Sequence, residues 1–209
     1  MVQESRREKE RQAREAEIVA AAERIFYQKG FDGASMDEVA QAAQFTKRTI
    51  YQYFPSKEEL YLAVALKGFQ QLMSYFETAI AKGATGFEKI HLSGLAYYQF
   101  YKDHPDTFRL MNHCKYLKTG AESPKHQSMH DLDSRMFQMF AAAIETGKQD
   151  ESIRSDLDPM KGAYFVVSVS IGFLQLLSET GQIFVEHYGV DREEFIRFSL
   201  DLLCDAIRG

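Results

Sequence analysis

This sequence predicts an all-α protein of about nine helices. Three observations carry that expectation. Apolar residues recur at three- and four-residue spacing through most of the chain. No segment alternates apolar and polar residues as a strand does, and no Asn-Gly hairpin signal is present. Helix-start signals recur, with a Ser, Thr or Asp followed three residues later by Glu. The 209 residues are 45% hydrophobic, with 16 Phe and 11 Tyr, which is ample for a packed core.

The first helix is expected from about Arg11 to Lys29. Ile18, Ala22, Ile25 and Phe26 form its buried stripe, and Gly30 ends it at C′. Two short helices follow, near 36–43 and 47–53. Ser35 with Glu38 is a capping box, Thr46 is a good N-cap, and Ser56 with Glu59 is a second box. Apolar pairs placed as staples accompany these starts: Ala34 with Val39, Phe45 with Ile50, Pro55 with Leu60. A long fourth helix is expected at about 57–81, with Leu60, Val64, Leu72 and Phe76 along one side, broken by Lys82 and Gly83. Thr85 with Glu88 opens a fifth, to about Lys102. His104-Pro105 starts a shorter one to about Leu117, with Pro at N1. Residues 118–123 read as a loop. Pro124 opens a helix ending at Gly147, Asp158-Pro159 one reaching about Thr180, and Asp191 with Glu194 the last, to about Ile207. There is no internal repeat.

The middle short helix is informative because isolated helices under about 12 residues are marginal in water. Its neighbours must hold it, and it carries Lys47, Arg48, Thr49, Tyr51, Gln52 and Tyr53. That is the chemistry of a helix entering a DNA groove. The stretch resembles the TetR/AcrR family of one-component transcriptional regulators. The resemblance rests on Phe26, Gly30, Phe31, Val39, Ala40, Ala43, Lys47, Thr49, Ile50, Tyr51, Tyr53, Phe54, Ser56, Lys57, Leu60 and Leu62, roughly residues 15 to 65. It implies a DNA-binding domain over 1–56 and a ligand-binding and dimerisation domain over 57–209, joined by the long helix. One departure is visible: Gln44 stands where the family usually has Gly in the turn. If position 44 needs positive φ, a non-Gly residue there costs about 1–2 kcal/mol.

The net charge of −5 at first sight opposes DNA binding. Residues 1–60 hold 10 Lys/Arg and 11 Asp/Glu, so that region is not basic overall. Local distribution decides instead: Val39 to Lys57 contains three basic residues and no acidic one. The N-terminal arm interleaves Arg6, Arg7, Lys9, Arg11 and Arg14 with Glu4, Glu8, Glu10 and Glu15. It reads either as a solvated, charge-alternating helix or as an arm that also touches phosphate or the minor groove.

Backbone amides at the start of a recognition helix attract phosphate. Thr46 can cap and also meet a phosphate. Lys47, Arg48 and Thr49 lie on the first turn, the part that reaches base edges in helix-turn-helix docking. Arg48 suits the O6/N7 edge of guanine. Ser35 and Met36 sit where the first short helix would cross the DNA backbone. The resemblance implies that Tyr51 and Tyr53 support or contact the sugar-phosphate backbone and that Lys57 contacts phosphate. Ile50 and Phe54 read as core.

The segment AYFVVSVSIGFLQLL, from Ala163, is apolar on all sides and must be covered on all sides. The last helix has two apolar faces, Phe195/Leu202/Ala206 and Ile196/Leu203/Ile207, so one is spare and expects a partner. Ser168, Ser170 and Gly172 permit close helix approach. These two helices, about 159–180 and 192–207, are the expected homodimer interface. Twofold symmetry would match a palindromic operator with half-sites roughly 34 Å apart. An apolar pocket is expected among Tyr97, Tyr101, Met111, His113, Phe137, Phe140, Phe165 and Phe173, although an aromatic core explains the same residues. The resemblance favours the pocket and a small apolar or aromatic inducer. It also implies a regulator, most simply a repressor released from its operator when that inducer binds; the sequence does not separate this from an activator or from a regulator acting through a protein partner.

Enzymatic readings find little support. His126 and His130 share a helix face without an obvious third metal ligand beyond Asp131 or Asp133. His113-Cys114 has no reliable nucleophile geometry, and no Gly-rich phosphate loop or G-x-S-x-G elbow occurs. No cofactor, metal or catalytic activity is expected. No signal-peptide pattern opens the chain, and the apolar run from Ala163 to Leu177 falls short of the roughly 20 residues of a membrane span. Cys114 and Cys204 make no disulfide framework, so a reducing cytoplasm is the expected location.

Overall fold

A computed structural model describes residues 6–114, 124–189 and 191–209. Among these it contains nine helices: α1 (Arg6–Gly33), α2 (Met36–Ala42), α3 (Lys47–Tyr53), α4 (Lys57–Lys82), α5 (Gly86–Asp103), α6 (Pro105–Cys114), α7 (Pro124–Gln149), α8 (Pro159–Tyr188) and α9 (Arg192–Asp205). The described residues form no strand, only an isolated bridge between Ile153 and Arg208. The loop expected at 118–123, the expected end near Leu117 and Glu4 of the arm lie outside the described residues.

The starts follow the expected capping chemistry. Ser35 Oγ accepts from the Glu38 amide at 3.3 Å while Glu38 Oε2 accepts from the Ser35 amide at 3.0 Å. Thr85 and Glu88 form the same reciprocal pair at α5. Thr46 Oγ1 accepts from the Thr49 amide at 3.1 Å, Ser56 Oγ from the Glu59 amide at 3.2 Å, and Asp191 Oδ1 from the Glu194 amide at 2.8 Å. Each bond satisfies an amide that the first turn leaves without an intrahelical partner.

Two helices are longer than expected. α1 begins at Arg6, because the Arg/Glu/Lys/Gln/Ala run is rich in strong helix formers and Arg6 pairs with Glu10 one turn on. Its regular path breaks at Gly30, whose φ of 69° is open to glycine. α8 runs past Thr180 to Tyr188. Gly181 does not stop it; Gly189, at φ 63°, follows its last residue as a C′ glycine. Over Pro159–Thr180 this helix is long and apolar enough to cross a membrane by length and composition, with 33% of the window buried.

By its contacts the chain divides into two compact units, 1–70 with 105–130, and 71–104 with 131–209. α4 is one helix that contributes to both. The core of the first unit gathers Ile18, Ala22 and Phe26 of α1, Val39 and Ala40 of α2, Ile50 of α3, then Phe54, Leu60, Tyr61 and Val64, with Leu110 of α6. Tyr61 stands edge-on to Phe26 and Phe31 and donates to the Leu110 carbonyl at 3.3 Å. Tyr27 and Thr107 hydroxyls meet at 2.7 Å, and burial pushes the Tyr27 phenol up to about 12. In the second unit, α5 and α9 pack together, as do α8 and α9. Gly86 sits so close to α7 that an added Cβ would lie 2.1 Å from the Gly147 nitrogen, so a side chain is excluded there.

The turn between α2 and α3 shows what Gln44 does. Phe45 N–H bonds the Ala40 carbonyl at 3.0 Å and Gln44 N–H the Gln41 carbonyl at 3.2 Å. This is a Schellman ending, with Gln44 in the left-handed region at φ 58°. The departure from Gly therefore carries a backbone cost. Gln44→Gly is expected to raise unfolding free energy by about 1 kcal/mol, read from the urea midpoint at unchanged slope.

Candidate nucleic-acid interface

α3 is held by one face. Ile50 and the following Phe54 are fully buried against α1, α2 and α4. That fixes the helix rotation and turns Lys47, Arg48, Tyr51 and Gln52 outward. Tyr51 is 43% exposed, unusual for a large aromatic with no packing duty. Thr46 is exposed at the N-cap; Thr49 and Tyr53 are partly covered, Tyr53 packing against the core. The Thr46 and Thr49 hydroxyls lie 2.8 Å apart beside the first-turn amides. Lys47 Nζ donates to Asp37 Oδ2 at 2.8 Å, which raises the ammonium's pKa and ties α3 to the first turn of α2. Arg48 has no hydrogen-bond or ion-pair partner among the described residues, so its fork stands open to solvent.

Three of the expected contact residues sit differently from a simple exposed surface. Met36 is a correction: it is 6% exposed and belongs to the core, so its side chain is unavailable to DNA. Its position at N1 of α2 points it inward beside Val39 and Ala40. Ser35 is exposed, but its hydroxyl is engaged with Glu38. Glu38 in turn bonds Lys29, and with Ser35 this holds its carboxyl below the usual range. Lys57 is drawn inward. Its ammonium donates to the Phe31 carbonyl at 2.7 Å and the Ala34 carbonyl at 3.1 Å, and lies 4.3 Å from the Phe31 ring centre. Of its three N–H donors, two secure the end of α1 to the start of α4 and one remains.

The eight residues expected to line one pocket are divided. Met111 is buried in the first unit, within reach of Gly68, and His113 of that unit lies tilted against Phe31 at 5.9 Å and edge-on to Tyr61 at 5.7 Å. The other six lie in the second unit. Buried Tyr97 and Phe140 both face Phe76, at 6.1 and 5.2 Å. Phe137 packs on Tyr164 and Phe173 on Phe195. Phe165 is 46% exposed. Among the described residues a groove of about 540 Å³ does open in this unit, but between α4 and α5, lined by Tyr75, Ala79, Lys82, Leu92, Leu95 and Gln99 with others, and by none of the eight. Tyr101 meets a cation: Arg192 Nη2 donates to its hydroxyl, and the guanidinium lies 5.3 Å from its ring centre. Sequence reasoning missed Arg192; its signal was a lone cation at the first position of α9, where the helix dipole favours acids.

Cys204 is buried, and burial pushes its thiol up to about 12, far from a reactive thiolate. No group of three His, Cys, Asp or Glu side chains among the described residues could hold a metal ion.

Comparison with known proteins agrees with this geometry. Residues 18–64, from α1 into α4, match the model of the bacterial regulatory proteins of the tetR family. The chain is 31% identical over 101 residues to the transcriptional activator FasR of Mycolicibacterium smegmatis, covering 48% of this chain and 46% of that one. It thus spans about half of that relative's length. It is 24% identical to the transcriptional repressor NicS of Pseudomonas putida over 91% of both chains. Its fold matches that of FadR from Bacillus subtilis, a structure in complex with stearoyl-CoA, with TM-score 0.72 and 17% identity over 92% of this chain and 99% of the other. With the helix-turn-helix built as described, residues 18–64 carry the DNA-binding domain of the TetR family of transcriptional regulators.

Proposed function

We propose that the protein is a homodimeric, ligand-responsive repressor that leaves a palindromic operator when a small apolar or aromatic molecule binds its C-terminal part. The observation that carries the DNA half is the outward face of α3: Arg48 without a partner, Lys47 and Tyr51 exposed, and the capped N-terminus at Thr46. In this reading residues 1–56 bind DNA and 57–209 bind ligand and partner. Arg48 reads a guanine edge. Thr46, Lys47, Thr49, Tyr51, Gln52 and Tyr53, with the remaining N–H of Lys57 and the backbone at Ser35 and Met36, hold the DNA backbone and adjacent base edges. Repression is supported by the match to NicS along nearly the whole chain; the shorter match to the activator FasR covers less than half. The stearoyl-CoA bound by FadR supports an apolar ligand. A protein acting on the chromosome of a bacterial cell works in the cytoplasm.

Dimerisation through α8 and α9 is supported by their uncovered apolar residues. Ile196, Leu200 and Cys204 turn one face of α9 inward, while Phe198 and Leu202, one turn apart, are each 60% exposed. On α8, Met160, Tyr164, Phe165, Val169 and Leu176 are exposed, and Gly172 has open space beside it. Exposed apolar side chains in this number on two neighbouring helices favour an interaction surface.

Fluorescence anisotropy with labelled DNA flanking the protein's own gene tests the operator reading. Tight, salt-sensitive binding that exceeds binding to a scrambled duplex is expected; equal binding to both overturns it at that site. Arg48→Ala should cost about 1–3 kcal/mol on the preferred operator and relax selectivity at one base pair. Operator variants bound as by the wild type would remove Arg48 from readout. Lys57→Ala is expected to act twice. Without DNA it should lose about 1–3 kcal/mol of stability, because two carbonyls lose their donor. With DNA it should weaken binding to all sequences and reduce the salt slope by about 1. Replacing Phe198 and Leu202 together by Glu is expected to give a folded monomer in sedimentation, with operator affinity lost in parallel.

A further inference from the structure

We propose that Arg192 is an anion anchor, the group that holds the carboxylate of an amphipathic small molecule whose apolar body lies against the aromatic side chains around it. The proposal rests on the ligand-responsive reading of the second unit and names the chemistry of the ligand's head.

Arg192 is partly buried at the first position of α9. Its Nη2 donates to the Tyr101 hydroxyl and, at 3.5 Å, to the Leu177 carbonyl. Its Nε is buried and has no hydrogen-bond partner. Among the described residues no carboxylate pairs with it. The nearby acids have other duties. Glu193 takes Lys102 at 3.4 Å and Arg197 at 3.2 Å, and these two cations hold its carboxyl below the usual range. Asp191 caps the helix by accepting from the Glu194 amide.

A buried guanidinium is ordinarily paired, since burial removes the water that would solvate its charge. Here the position adds to the imbalance, because a cation at a helix N-terminus meets the positive end of the dipole. The structure supplies an aromatic face and neutral oxygens, yet leaves the Nε–H without an acceptor. A carboxylate meets that deficit in one step. The planar fork of Arg accepts a carboxylate with two parallel hydrogen bonds, and the Nε–H is one prong of it. The Leu177 contact is at the outer limit of hydrogen bonding and is readily exchanged. The surroundings suit an apolar body. Tyr98 stacks on Tyr101 at 6.3 Å, and Phe195, one turn beyond Arg192, packs on Phe173 at 5.8 Å.

The test uses the full chain without DNA. Binding of 2-naphthoate and decanoate is measured by calorimetry beside their uncharged amides. At least one carboxylate is expected to bind about tenfold or more tightly than its amide, the scale of a charge-assisted hydrogen bond. Arg192→Gln should abolish that preference and leave amide binding unchanged, while Arg197→Gln, at an exposed position, should keep it. No carboxylate preference in the wild-type protein, or one that survives Arg192→Gln, overturns the anchor. Should the Gln variant fail to fold, Arg192→Lys carries the test: a reduced preference supports the fork, and an unchanged one overturns it. Since no operator enters this assay, a failure here leaves the DNA reading standing, and absence of operator binding would leave the anchor standing.

Discussion

Everything at the candidate DNA surface depends on the burial of Ile50 and Phe54. A seven-residue helix cannot persist alone in water, because nucleation outweighs the few hydrogen bonds it gains. These two side chains insert among α1, α2 and α4, and that contact replaces the missing length. It also sets direction. With Ile50 inward, the residues beside it on the helical wheel must face solvent, and those residues are Lys47, Arg48, Tyr51 and Gln52. Recognition chemistry and core packing are thus two sides of one helix, and a change at Ile50 would act on DNA without touching it.

The same logic accounts for a DNA-binding candidate with a net charge of −5. Overall charge governs long-range attraction, while a specific complex depends on where charges stand. Asp37 and Glu38 lie next to the recognition helix, yet each is matched by a cation, Lys47 and Lys29 respectively. The acidic side chains of α2 are neutralised locally, and among the described residues of α3 Arg48 is left open. In the proposed complex Lys47 would exchange Asp37 for a phosphate or a base.

Much of this was legible in the sequence because it is encoded locally. The boundaries of α2, α3 and α5 follow from capping residues within four positions of each other, and the strained Gln44 was visible as a non-glycine in a turn. Features set by distant residues were not legible. Met36 has the position of a backbone-crossing residue, but its side chain fills space that only the assembled core defines. Lys57 reads as a surface cation until the carbonyls of Phe31 and Ala34 are brought to it. The end of α8 lies beyond the expected Thr180, at Tyr188, where Gly189 adopts positive φ. The aromatic residues of α5 to α8 were hardest: a core and a pocket demand the same side chains at the same spacing. His113 and Phe140 therefore looked equivalent, although they lie in different compact units.

A ligand can change operator affinity only by binding two states of the protein unequally. The sequence of constraints identifies where such a preference can enter. α4 begins beside the helix-turn-helix, where Lys57 fastens it to the end of α1, and it ends in the unit that holds the groove and Arg192. Because Leu60, Tyr61 and Val64 of its first turns are core residues, any displacement of this end must carry α3 with it or break the core. Breaking the core would cost several kcal/mol, whereas allosteric couplings are about 1–3 kcal/mol. The proposed ligand response is therefore one that leaves the core of the first unit, and with it the outward face of α3, intact. A dimer reading two half-sites is sensitive to the placement of that face, since both recognition helices must fit their grooves together. In the proposed reading ligand response is then a matter of spacing, and the core contacts of Leu60, Tyr61 and Val64 with Ile50 and Phe54 are what tie the fourth helix to α3.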